Sequence, residues 1–171
     1  MFSRVLLSLM LLFVLSSIHQ AESGSVREPK NSWRGITPLQ SSPEDVARVL
    51  GFEPEGTDPA SSGPHRVDGG EVSFNYLTPG LARIYKAPRS VVGKVFTIYF
   101  KPSEQATRET VKLAPGFRRC TESMTTTYYY LVNDAGIAYE FRRAGNQLET
   151  VIYQPTRAQV RNLGVNTECV F

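Results

Sequence analysis

The chain has 171 residues, 41% of them hydrophobic and 20% charged, and a formal net charge of +3. So small an excess excludes the strongly basic balance of a dedicated nucleic-acid binder, and the length suits one ordinary domain. Two cysteines and two histidines leave little material for a metal centre.

Arg4 and the apolar run Val5–Ile18 that follows it read as a secretory signal peptide. The run is too short for a helix to cross a hydrocarbon core, which takes about 20 residues. We assign residues 1–21 to the signal. Cleavage after Ser23, which leaves Ala21 and Ser23 at the recognition positions, fits better than cleavage after Ala21. No cysteine stands near either point to carry a lipid. The expected location is therefore the periplasm or the extracellular space, with no transmembrane segment left after processing. Residues 22–35 are polar and form a leader, with Trp33 expected to dock on the domain. Residues 36–171 form one α+β domain.

In chain order, Ser42-Pro43-Glu44-Asp45 predicts a helix start. The Ser42 hydroxyl can accept an orphan N–H, Pro43 lacks nothing at the first helical position, and the two acids suit the positive end of the dipole. Val46, Val49 and Leu50 give the helix one apolar stripe, and Gly51 stops it. Residues 53–70 hold four glycines and three prolines without an apolar period, and read as a long loop. Strands are predicted over Val72–Tyr76, Ala82–Lys86 and Val95–Phe100, the last central because both its faces are apolar.

Residues 103–124 are ambiguous between a helix over Glu104–Lys112 and irregular chain. Beyond them, Tyr128–Val132 and Ile137–Phe141 flank the turn Asn133-Asp134-Ala135-Gly136, and Leu148–Tyr153 completes an antiparallel meander ended by Pro155. A helical turn is expected over Arg157–Leu163. The segments VFTIYFKP and ETVIYQPT repeat one strand pattern, with Ile98 and Ile152 as equivalents. That predicts an antiparallel sheet with short helices on one face, built from two related halves at about 36–102 and 103–171.

Cys120 and Cys169, in an oxidising compartment and without CxxC spacing, predict a structural disulfide. It would close a loop of roughly 50 residues and contribute about 4 kcal/mol in the chain-entropy account.

Trp33 to Ser41 (WRGITPLQS), Asp45 to Gly51 (DVARVLG), Tyr130 to Tyr139 and Ile152 to Pro155 resemble the signature of a group of exported bacterial proteins. That group is similar in its helix–loop–meander layout to the BamE-like outer-membrane-assembly lipoproteins and to the tandem β-lactamase-inhibitor proteins. The resemblance implies a binding module without catalysis, associated with the envelope. The missing lipid-bearing cysteine departs from the first class.

No catalytic residue, metal ligand or cofactor site follows from the pattern. The expected partner is another envelope or extracellular protein rather than nucleic acid. From Leu81 to Ser103 there are five cations and no acid, whereas acids dominate Glu44–Glu71. Arg83, Tyr85, Lys86, Arg89 and Lys94 are accordingly the candidate binding surface. The alternatives are a domain that binds a small molecule between its halves, and a hydrolase using the 53–70 loop. The hydrolase would use His65, drafting Ser61 or Ser62 and Asp68.

Overall fold

A computed structural model describes residues 31–52, 60–113, 115–120 and 127–163. It contains helices α1 (Pro43–Leu50), α2 (Pro79–Ile84) and α3 (Arg157–Asn162). Its strands are β1 (Ser61–Val67), β2 (Gly70–Tyr76), β3 (Val95–Pro102), β4 (Arg118–Arg119), β5 (Tyr128–Val132), β6 (Ile137–Arg142) and β7 (Gln147–Tyr153). The seven form one antiparallel sheet in the order β1-β2-β3-β7-β6-β5-β4. The fold is α+β, as expected. No described helix is long and apolar enough to cross a membrane.

Helix α1 forms for the reasons its sequence suggests. The Ser42 hydroxyl accepts the Asp45 N–H at 3.4 Å, and the Asp45 carboxylate accepts the Ser42 N–H at 2.8 Å. This reciprocal cap satisfies two donors that the first turn would otherwise leave unpaired. Its buried side is narrower than predicted. Val46 and Ala47 are buried and Leu50 half-buried, whereas Val49 is 40% exposed. Val46 packs with Trp33, Ile36, Val72, Phe74, Tyr76, Val95 and Ile98. Trp33 docks as expected, its ring 6.1 Å from those of Phe74 and Phe100.

Two expectations are corrected, and one question left open by the sequence is answered. Residues 61–67, placed in a loop, form edge strand β1; the part of that loop at 53–59 lies outside the described residues. An edge strand needs pairing on one side only, so Pro64 is tolerated at a bulge and no apolar alternation is required. Residues 82–86, read as a strand, belong to α2 and the turn after it. Thr78 and Pro79 repeat the cap-plus-proline pattern of Ser42 and Pro43, and the Thr78 hydroxyl accepts the Leu81 N–H at 3.3 Å. No helix forms over 104–112. There the Thr110 hydroxyl accepts the Thr107 N–H at 2.9 Å, one of the local bonds by which threonine competes with a helix.

A second cluster joins α2 and α3 through Leu77, Ala82, Phe96, Val160 and Leu163. The first meander (β1-β2-β3) and the second (β4 to β7) meet where Ile98 pairs with Tyr153 and Tyr99 with Ile152. The two Ile-Tyr pairs that suggested a repeat are therefore cross-strand neighbours. A tandem repeat is not shown. Helix α1 precedes the first meander, while residues 103–113 before the second contain no helix, and α3 has no counterpart directly after β3.

Candidate functional site

The predicted basic surface lies on α2 and the segment leading into β3. Arg83, Lys86 and Arg89 are exposed, and among the described residues none of them makes an ion pair. Tyr85 is half-buried, its ring stacked on Phe96 at 5.5 Å. Lys94 is half-buried, and its charge acts on Glu44 at the start of α1. The Ser42 side chain and the Glu44 backbone N–H hold the Glu44 carboxyl below its usual range, and Lys94 adds to the effect. Thus Arg83, Tyr85, Lys86 and Arg89 follow one another along α2 and the segment after it, and the charge of Lys94 reaches the acidic start of α1.

Sequence reasoning missed what stands among them. Ile84 is 72% exposed and Leu81 36% exposed, two of the three large exposed apolar side chains among the described residues. Reading the segment as a strand hid them, because alternation would have turned one face inward. Helix α2 instead buries Ala82 and leaves Leu81 and Ile84 outside. Arg161 of α3, between Val160 and Leu163 that pack in one cluster with Ala82, is exposed as well. This end of the molecule is thus cationic with apolar side chains standing out.

A second constellation surrounds His65. Its Nε2 lies 2.8 Å from Ser62 Oγ. In a regular strand, residues at that spacing point to opposite faces. Here Ser62 pairs with Phe74 and His65 with Val72, so Gly63 and Pro64 together oppose Ser73 alone. The extra residue resets the alternation and brings both side chains to one face, which is how bulges re-aim side chains. Gly63 is required: its φ is +103°, and a Cβ would lie 2.8 Å from the Val72 carbonyl oxygen. Phe52 stacks on the imidazole at 4.6 Å with planes 18° apart. Tyr76 sits beside Ser62, and burial pushes its phenol up to about 12, the Ser62 hydroxyl easing the shift. Asp68 does not join the pair. It lies in the turn after β1, where its carbonyl accepts the Arg34 guanidinium at 3.0 Å.

An open groove of about 560 Å³ runs past Arg66, Glu71, Lys101 and Ser103. Arg66 pairs with Glu71 and Glu71 with Lys101 across three strands, so the charges answer one another. Cys120 is buried against Val132, Ala138 and Ile152, while Cys169 lies outside the described residues. No three His, Cys, Asp or Glu side chains among the described residues are grouped to hold a metal ion.

The chain matches no protein-family model, no curated protein and no solved structure.

Proposed function

We propose that the protein is an exported protein-binding module of the bacterial envelope or exterior, and that the α2 end docks on an acidic partner protein. The observation that carries this reading is Ile84, 72% exposed on a helix whose other side is held by Ala82 and the Tyr85–Phe96 stack. Burying an aliphatic side chain of that size in a partner contributes about 1.5–3 kcal/mol. Arg83, Lys86 and Arg89 are its exposed neighbours in the chain and make no ion pair among the described residues, which favours an acidic surface over a neutral one. The resemblance in layout to exported binding modules supports the same reading.

Export rests on the Arg4 and Val5–Ile18 pattern, and N-terminal sequencing of secreted material tests it. A Cys120–Cys169 bridge belongs to the proposal, because Cys120 is buried beside β5 and β6 and the chain offers no other cysteine. Non-reducing peptide mapping should recover the two in one linked peptide; alkylation of both as free thiols would remove the bridge.

For docking, chemical crosslinking in the native envelope should recover a defined partner. That recovery should fall about tenfold or more with Ile84→Glu, and with Arg83→Glu combined with Lys86→Glu. It should also weaken as salt rises. Equal recovery by both variants overturns the assignment of the surface, and failure to recover any partner overturns the binding function.

A further inference from the structure

We propose that Ser62 is a nucleophilic serine with His65 as its general base, acting by acyl transfer on small uncharged esters. The geometry meets the first requirement of such a pair, a hydroxyl within hydrogen-bond reach of an imidazole nitrogen: Ser62 Oγ to His65 Nε2 is 2.8 Å. With the imidazole proton on Nδ1, Nε2 accepts the serine proton. Orientation of the base comes from stacking instead of a third polar group. Phe52 lies parallel to the ring at 4.6 Å, and Phe74 lies at 6.3 Å, tilted. Among the described residues no carboxylate is hydrogen-bonded to His65. Both Ser62 and His65 are half-buried, so the pair is held by the fold yet reachable.

The bulge is what brings the pair together. Without Gly63 and Pro64 opposing Ser73, the two side chains would stand on opposite faces of β1. A structural hydrogen bond at a sheet edge does not require such a device.

The chemistry balances without any further reagent. Ser62 Oγ attacks the ester carbonyl carbon; an Oγ–C bond forms and the bond to the leaving alkoxide breaks. The serine proton passes to His65 Nε2 and then to the alkoxide. Water repeats the sequence, giving its proton to Nε2 and releasing the acid while Ser62 recovers its own. The apolar rings of Phe52 and Phe74 beside the imidazole suit a small uncharged acyl group over a charged one.

The test uses the full chain and diisopropyl fluorophosphate, which places phosphorus on an activated serine oxygen and expels fluoride. Peptide mapping should find the adduct on Ser62, with none in Ser62→Ala. His65→Gln keeps an acceptor for the Ser62 hydroxyl but supplies no comparable base, so its labelling should slow by about 100-fold or more at an unchanged melting temperature. Phe52→Leu, which frees the ring, should slow labelling while leaving Ser62 competent. Hydrolysis of p-nitrophenyl acetate should follow the same order. No adduct at Ser62, or equal labelling in His65→Gln, overturns the proposal. Partner recovery through α2 should be the same in Ser62→Ala, so the two readings fail separately.

Discussion

Ile98 of β3 lies directly across from Tyr153 of β7, and this pair joins the two meanders into one sheet. The next position outward on each strand, Thr97 and Gln154, is buried too. Among the described residues, Thr97 Oγ1 and Gln154 Oε1 find no hydrogen-bond partner. A buried polar atom without a partner costs about 1–3 kcal/mol relative to one left in water. Thr97→Val keeps the shape and removes the hydroxyl. It should therefore raise the unfolding free energy by about 1 kcal/mol, read as a higher urea midpoint with an unchanged slope. A lower midpoint would mean that the hydroxyl is satisfied in solution.

Gly136 closes the turn between β5 and β6 against the same residue. Its φ is +83°, and a Cβ built on it would come within 2.3 Å of the Gln154 carbonyl oxygen. The oxygen cannot retreat freely, because the Gln154 N–H donates to the Gly136 carbonyl at 2.8 Å. Gly136→Ala therefore combines a strained backbone with a clash against main chain. We expect a loss of about 3 kcal/mol or more. Calorimetry would decide: a drop in melting temperature of only a degree or two would show that the turn repacks.

The two valines of α1 should separate by burial. Val46 is fully buried, and Val46→Asp would place a charge without a partner in the main cluster, costing about 3–5 kcal/mol. Val49→Asp, on the exposed side, should stay within about 0.5 kcal/mol. Equal destabilisation by both in chemical denaturation would show that α1 packs on a broader face.

These residues also show what could be read before the structure and why. Ser42, Pro43 and Asp45 act within one turn, so local chemistry sufficed for α1. The Asn133–Gly136 turn was equally legible: the Asn133 side chain accepts the Ile137 N–H at 2.8 Å, a bond between near neighbours. Thr78 and Pro79 carried the same signal as Ser42 and Pro43. The β-favouring Ile84 and Tyr85 masked it, since the packing of Ala82 against Phe96 that selects a helix is long-range. Edge strand β1 was hidden because its polar residues pair with β2 on one side only. The Gly63–Pro64 step was the visible trace of its bulge, yet the Ser62–His65 contact it creates depends on register with Val72 and Phe74. Charge alone located Arg83, Lys86 and Arg89. The exposure of Ile84 depended on the helix.

The tyrosines make the fold sensitive to alkali. Burial raises the phenols of Tyr76, Tyr99, Tyr129, Tyr130, Tyr139 and Tyr153, Tyr76 to about 12. Tyr130 is raised by burial and, in addition, by donating its proton to the Glu140 carboxylate at 2.6 Å, which favours the neutral phenol. An unfolded tyrosine titrates near pH 10, so above that value the unfolded chain gives up protons that the folded chain retains. Stability contributed by these groups is therefore complete below about pH 10 and is lost as pH climbs through their raised values, about 12 for Tyr76. The urea midpoint should be level from about pH 8 to about pH 10 and then fall steeply. Tyr130→Phe removes one titrating group. It should be weaker by about 1 kcal/mol near neutrality, because among the described residues Glu140 then keeps only the Thr150 hydroxyl at 2.7 Å, and its alkaline decline should be shallower. A midpoint that stays level to about pH 11.5 would mean that these phenols titrate as they do in water.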